Sequence, residues 1–255
     1  MTTPARVFVT GASSGLGHGL ALHYAREGAV LGLVARRAPL LEDLKRQCEE
    51  RGAAAYIFPG DVADTARMKA SVDEYLAQAG GIDLVIANAG VGIKSALLEG
   101  RADEVAWLMG INVVGVTNTV VPFVPAMVRQ GSGILVAMGS VAGHRAVPGR
   151  AAYAASKACV KTFMDGLRMD LAGTGVHAMT LMPGFVDTPL TKDNPQMFFV
   201  LDVDTAVTAM SAAIEGDKRT YTFPWQMRLL SGVMKVAPEG VLRRLSPRSR
   251  TRSSR

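Results

Sequence analysis

Along the chain, short runs of β-branched and apolar residues alternate with longer stretches whose apolar positions recur every three or four residues. Val7–Thr10, Leu31–Ala35, Ala54–Phe58, Asp83–Ala87, Ile134–Met138 and Val176–Met182 read as strands, and Arg219–Phe223 as a seventh. Gly15–Glu27 reads as a helix. Leu40, Leu41, Leu44 and Cys48 mark a second helix face that Gly52 stops; Met68, Val72, Tyr75 and Leu76 mark a third, closed by Gly80 and Gly81. Asp103–Arg129 is predicted as one long helix, Tyr153–Ala172 as another and Asp202–Glu215 as a further one. Strands apolar almost throughout, alternating with helices, predict a parallel sheet covered on both faces. The fold class is therefore α/β, a single doubly wound sheet. One domain is expected over residues 1–245. The basic tail that follows, 246–255, has almost no apolar residue to bury.

In such sheets ligands bind beyond the carboxyl ends of the strands, so the residues after each strand are the candidates for function. After the first strand comes Thr10-Gly11-Ala12-Ser13-Ser14-Gly15-Leu16-Gly17. Gly11 permits a tight turn, Gly15 a close approach of backbone to a pyrophosphate, and Gly17 close helix–strand packing. The helix that opens there offers free N–H groups and a positive dipole end to phosphates. After the second strand, where NAD-binding folds place a carboxylate for the ribose hydroxyls, stand Ala35, Arg36 and Arg37. A guanidinium fork suits a 2′-phosphate, so the cofactor expected is NADP(H), resting on Arg36 with Arg37 in support. After the third strand, Asp61 and Val62 offer a carboxylate that either accepts from an adenine amino group or caps the next helix. After the fourth, Asn88-Ala89-Gly90 makes room for a flat ligand, and its amide can tie neighbouring strands together. Asn112 alone reads as a buried polar residue of a helix.

After the fifth strand stands Ser140, then Tyr153 and Lys157, which are one helical turn apart on one face. A tyrosine hydroxyl titrates near 10, too high for acid–base work at neutral pH. An adjacent ammonium is expected to lower it.

Charge and composition narrow the choices. Lys235–Arg255 carries seven Lys/Arg against one acid, so it holds the whole +6 net charge of the 255-residue chain. Residues 1–234 are neutral, and the tail lacks interleaved aromatics, so no specific nucleic-acid binding is expected. Two cysteines, Cys48 and Cys159, exclude a disulfide scaffold and a four-cysteine zinc site and fit a reducing, cytoplasmic compartment. The four histidines, His18, His23, His144 and His177, have no ligand spacing, so no metal is expected. Cys159 is expected to pack rather than react. Leu108–Val128 is long and apolar enough to span a bilayer, but its Asn, Thr and Pro residues favour a buried core helix.

As a set, these motifs resemble the short-chain dehydrogenase/reductase family: Thr10–Gly17, Asp61, Asn88-Ala89-Gly90, Asn112, Ser140, Tyr153, Lys157 and Pro183-Gly184 followed by Thr188. The resemblance implies a Rossmann-like sheet of seven parallel strands in order 3-2-1-4-5-6-7. It implies hydride transfer between a nicotinamide and a carbonyl or alcohol carbon. By it, Ser140 bonds the substrate oxygen and Tyr153 gives or takes its proton. Lys157 bonds the nicotinamide ribose, Asn112 anchors a proton-relaying water chain, and Thr188 holds the carboxamide. Leu16, Val62 and Val186 lie within the cofactor-binding motifs, beside Ser13, Ser14, Pro183 and Gly184. The family's basic position before its second motif glycine is here Ser14. The two long helices imply a homodimer or homotetramer.

Substrate choice is expected to lie in three loops, Val91–Leu98, Val141–Ala152 and Phe185–Val200. The segment Phe223–Leu245 mixes Trp225, Met227, Leu229, Leu230, Val233 and Met234 with basic residues. A helix packed on the cleft or at a subunit interface is the first reading. Weak peripheral contact with a membrane through 223–255, and with it a lipid carbonyl substrate, is the second. A catalytically silent cofactor-binding sensor or scaffold is the remaining alternative, and the complete Ser140, Tyr153 and Lys157 set argues against it.

Overall fold

The computed structural model describes residues 5–92, 99–146, 149–192, 197–236, 238 and 240. Parts of all three candidate substrate loops (93–98, 147–148 and 193–196), and the 246–255 tail, lie outside the described residues. The seven strands are β1 (Arg6–Thr10), β2 (Val30–Ala35), β3 (Ala54–Pro59), β4 (Leu84–Ala87), β5 (Gly133–Met138), β6 (Val176–Pro183) and β7 (Thr220–Phe223). They form one sheet in the order β3-β2-β1-β4-β5-β6-β7, every neighbouring pair parallel. The order reverses between β1 and β4. A crevice opens there because the connections leave toward opposite faces.

One face carries α1 (Gly15–Tyr24), α2 (Ala38–Glu49) and α8 (Val203–Glu215), whose apolar residues meet Val7, Val9, Leu31 and Leu33. The other carries α3 (Thr65–Ala79), α5 (Gly115–Val120) and α7 (Ala151–Asp170), around Phe8, Val34, Val85 and Leu135. Few aromatics suffice because they are concentrated: Phe8 meets Tyr75 and Phe123 edge-on, with ring centres 5.2 and 4.9 Å apart.

The predicted helix Gly15–Glu27 stops at Tyr24. Ala25 leaves the helical region, and Ala29 turns back to Arg26 before β2 begins. The predicted single helix Asp103–Arg129 is broken into α4 (Ala102–Met109), a π turn (Gly110–Val114), α5, a 3-10 turn (Val121–Phe123) and α6 (Val124–Gln130). Pro122 and Pro125 remove helical donors at the second break. The π turn at the first is where Asn112 points inward. This stretch, 102–130, is long and apolar enough to cross a membrane. In the fold, however, Ile111, Val116, Val120, Phe123 and Met127 bury its inner side in the second core, and Leu108 is buried too. Asp61 does not cap α3. Asp64 does, its carboxylate accepting from Arg67 N–H at 2.9 Å. The last described helix, α9 (Trp225–Val236), follows β7 directly.

At the amino ends of β1 and β4, Asp83 ties the two neighbouring central strands together. Its carboxylate accepts from the N–H groups of Ala5 and Arg6 and pairs with the Arg6 guanidinium, which Gln130 also contacts. Burial opposes the Asp83 charge, but the bonds from Arg6 and Ala5 outweigh it and hold the carboxyl below the usual range. A depressed carboxylate pKa stabilises the fold above the ordinary Asp value and loses that contribution as pH falls. Asp83→Asn is expected to cost about 1–3 kcal/mol at pH 7. The gap from the parent should narrow as acid denaturant melts approach pH 3. A constant gap across that range would assign the loss to packing instead.

Candidate active site

The glycine turn after β1 is built by close approach. Gly11 sits at φ +68°, and a Cβ there would lie 2.8 Å from Ala89 Cα. A Cβ on Gly17 would lie 2.3 Å from the Gly11 carbonyl oxygen, so α1 packs here only because Gly17 has no side chain. Asn88 completes the seam. Its amide donates to the Thr10 and Gly11 carbonyls at 3.1 and 3.3 Å, and Ala89 N–H donates to Thr10 Oγ1 at 3.3 Å. The amino end of α1 is thereby fixed over the crevice with its free N–H groups directed outward from the sheet.

The two arginines after β2 divide their contacts. Arg37 donates to Ser13 Oγ and Ser14 Oγ, both at 2.8 Å. Arg36 lies 3.9 Å from the Asp61 carboxylate. Arg37, rather than Arg36, therefore lies against the glycine turn. The two serines, short enough to leave the turn open, are what it binds. Asp61 also accepts from Ala63 N–H in a local turn. Val62 is buried against Gly115, and its carbonyl accepts from Asn118, which leaves only its backbone N–H for a ligand. Leu16 is partly buried in the first core. Val186 is buried there too, its backbone bridged to Leu201. Thr188 stands where the loop after β6 crosses the glycine turn, its methyl 3.3 Å from a Cβ built on Gly15. Its hydroxyl and N–H engage Thr191. Pro183 ends β6 and Gly184 follows it, N–H bonded to the Phe223 carbonyl.

Ser140, Tyr153, Lys157 and Asn112 come together at the end of β5. Lys157 is buried and its ammonium donates to the Met138 carbonyl at 2.8 Å, 5.9 Å from the Tyr153 ring centre. Burial alone pulls the Lys157 ammonium down to about 8. Gly90 borders this group: a Cβ there would lie 3.4 Å from both Lys157 Nζ and Asn112 Oδ1. Asn112 accepts from Val91 N–H at 2.8 Å and donates to the Val91 carbonyl and to Ser156 Oγ, which in turn donates to the Tyr153 carbonyl. These bonds tie the loop after β4 to α7.

The expectation that Lys157 lowers the Tyr153 hydroxyl is corrected. Burial pushes Tyr153 up, and the opposing influences are its hydrogen bond with Ser140 and the charge of Arg150. The Lys157 ammonium is directed at Met138 instead. Arg150, at the start of α7, was not among the sequence candidates. Its three-residue spacing from Tyr153 on one helix face was the available signal. Cys159 is also corrected: it is exposed on the outer side of α7, bordering a shallow apolar depression with Phe163 and Leu167. Among the described residues no cluster of three or more His, Cys, Asp and Glu residues has metal-binding geometry.

A family model described as short chain dehydrogenase matches residues 5–197. The chain is 39% identical over 231 residues to an uncharacterized oxidoreductase of Myxococcus xanthus, spanning 90% of this chain and 91% of that one. A short chain dehydrogenase/reductase from Burkholderia phymatum, solved with NAD, superposes with a TM-score of 0.81 at 27% identity, over 89% of this chain and 91% of that chain. A short-chain dehydrogenase from Sphingobium yanoikuyae, solved with NADPH, superposes with a TM-score of 0.78 at 27% identity, over 92% and 96%. The chain belongs to the short-chain dehydrogenase/reductase family. It is an oxidoreductase with a nucleotide-binding, Rossmann-like fold, acting on a CH–OH or C=O group.

Because Ser140 and Arg150 both oppose the effect of burial, Ser140→Ala and Arg150→Gln are each expected to raise the Tyr153 pKa further. The Cζ chemical shift of labelled tyrosine, followed by NMR against pH, reads this directly. An unchanged Tyr153 titration in Arg150→Gln would remove that guanidinium from the site's electrostatics.

Proposed function

We propose that the protein is an NADP(H)-dependent oxidoreductase that interconverts a small-molecule carbonyl compound and its secondary alcohol, with Tyr153 as general acid and base. The observation that carries this reading is the convergence of Ser140, Tyr153 and Lys157 at the end of β5, beside a glycine turn with no space for a Cβ at Gly11 or Gly17. By letting α1 pack closely on the turn, these glycines hold the free N–H groups at its amino end, those of Gly15, Leu16 and Gly17, where a pyrophosphate would fit. When bound there, the nicotinamide cofactor supplies or accepts the hydride at the substrate carbon.

The chain's own residues do the rest. Ser140 Oγ donates to the substrate oxygen. In reduction, the Tyr153 hydroxyl gives that oxygen its proton as negative charge develops on it. Lys157, held on the Met138 carbonyl, carries its charge at neutral pH and would reach a ribose hydroxyl of the bound cofactor. Asn112 holds Val91 and α7 in register and orients the water chain that restores the Tyr153 proton. Asp61 and the Val62 N–H would hold the adenine, Asn88, Ala89 and Gly90 would flank the nucleotide, and Thr188 and the Val186 backbone would hold the carboxamide. Arg37, held by Ser13 and Ser14, and the exposed Arg36 would bind the 2′-phosphate that distinguishes NADP from NAD.

Cofactor titration and turnover on the same variants test both halves. Tyr153→Phe is expected to lower kcat by about 10²–10⁴-fold while NADPH still binds. Arg36→Ala and Arg37→Ala are expected to weaken NADPH and leave NADH unchanged. Near-normal turnover of Tyr153→Phe would assign the acid elsewhere, and equal affinity of the parent for NADH and NADPH would overturn the cofactor reading.

The assembly we propose is a homodimer or homotetramer in a reducing, cytoplasmic compartment. Trp107, Val114, Val121 and Val128 are exposed at seven-residue intervals along α4–α6, and Met169 with the depression beside Cys159 lies on the outer side of α7. Two-fold pairing of these helices would cover that apolar surface. Light scattering at micromolar concentration is expected to give at least twice the chain mass, and Val121→Lys to halve it. A monomer mass for the parent would refute the assembly.

A further inference from the structure

The sequence left open whether Phe223–Leu245 packs inward or faces a membrane, and α9 does different things on its two sides. Its inner side holds Met227 and Ser231, both buried. A Cβ on Gly184 would lie 2.6 Å from Met227 Cγ, so this side of the helix is seated on the end of β6. Its outer side presents Trp225, Leu229, Val233 and Val236, which are 67, 62, 65 and 83% exposed. Their spacing of four, four and three residues places them in one stripe along the helix. Arg228 is exposed beside it, and the helix contains no acidic residue.

Charge identifies what covers the stripe. Residues 241–255, which continue the chain beyond it, hold six arginines and no acid. A second copy docked through a two-fold axis would apply the same patch to itself and bring two such cationic ends together. A partner surface on this face would have to accommodate a strongly cationic chain end. An anionic bilayer meets both demands at once, taking an apolar helix face into the headgroup boundary and attracting Arg228 and the basic residues that follow in the chain.

We propose that α9, through Trp225, Leu229, Val233 and Val236 together with the basic residues that follow, docks this protein on the surface of an anionic lipid membrane. This rests on the α9 face and the tail charge, and it stands independently of the cofactor and of the Tyr153 chemistry.

The test uses the full-length protein with phosphatidylcholine vesicles, with and without phosphatidylglycerol. Cosedimentation is expected with the anionic vesicles only, at low salt, with release at high salt. In a Trp107→Phe background, Trp225 emission is expected to shift to shorter wavelength on binding. Trp225→Ala/Leu229→Ala/Val233→Ala should lower the bound fraction about tenfold at an unchanged melting temperature. Should that variant melt early, Arg243→Glu/Arg244→Glu, which leaves α9 intact, is expected to weaken anionic-vesicle binding by a similar factor.

Failure of the parent to sediment at low salt would overturn the proposal. So would binding undiminished by the triple substitution, which would make the tail alone a general polycation. A fall in oligomer mass caused by the triple substitution, without vesicle binding in the parent, would assign the face to a second copy. Loss of turnover with vesicle binding intact would bear only on the proposed reaction.

Discussion

Everything at the crevice depends on how closely β1, β4 and α1 approach one another. The seam is made by Gly11, Gly17 and the Asn88 amide, with a Cβ on Gly17 falling 2.3 Å from a carbonyl oxygen. Were α1 held further off, its free N–H groups would no longer stand over the point where the sheet order reverses. Asn88 matters because its amide donates to the carbonyls of Thr10 and Gly11 at the turn after β1. A side-chain donor satisfies them while leaving the crevice open.

The same economy recurs one strand further on. Asn112 sits in a π turn, the local widening that lets a helical residue direct its amide sideways to Val91 and Ser156. Lys157 is buried with a single carbonyl partner, and the cost of that burial appears as its lowered pKa. Tyr153 is raised by the same desolvation and moderated by Ser140 and Arg150. Two groups of opposite charge type, each pushed toward neutrality by burial, lie one helical turn apart. Such perturbed groups cluster where proton transfer is needed.

The outer surfaces follow different logic on different helices. On α4–α6 and α7 the exposed apolar residues belong to helices whose inner sides already fill the second core, so their stripes are surplus to the fold. On α9 the exposed stripe lies beside Arg228 on a helix without acidic residues and is followed by a strongly basic chain end, which separates it in chemistry from the first surface.

Much of this was legible in the linear pattern. Near-continuous apolar strands between amphipathic stretches require a parallel sheet with both faces covered, and the glycine turn, Ser140, Tyr153 and Lys157 are local motifs whose spacing carries their geometry. The tertiary structure decided what depends on residues distant in sequence. The break of the 102–130 helix around Asn112 required knowing where Val91 lies. The choice between Asp61 and Asp64 as the α3 cap required the backbone path. That Arg37 rather than Arg36 meets the serines of the turn, and that Lys157 turns to Met138 while Arg150 acts on Tyr153, follows from side-chain directions that periodicity does not encode. For α9 the pattern revealed an apolar helix. Only its seating on Gly184 showed which residues are used up in packing and which are left facing outward, because burial is set by what the rest of the chain places beside a residue.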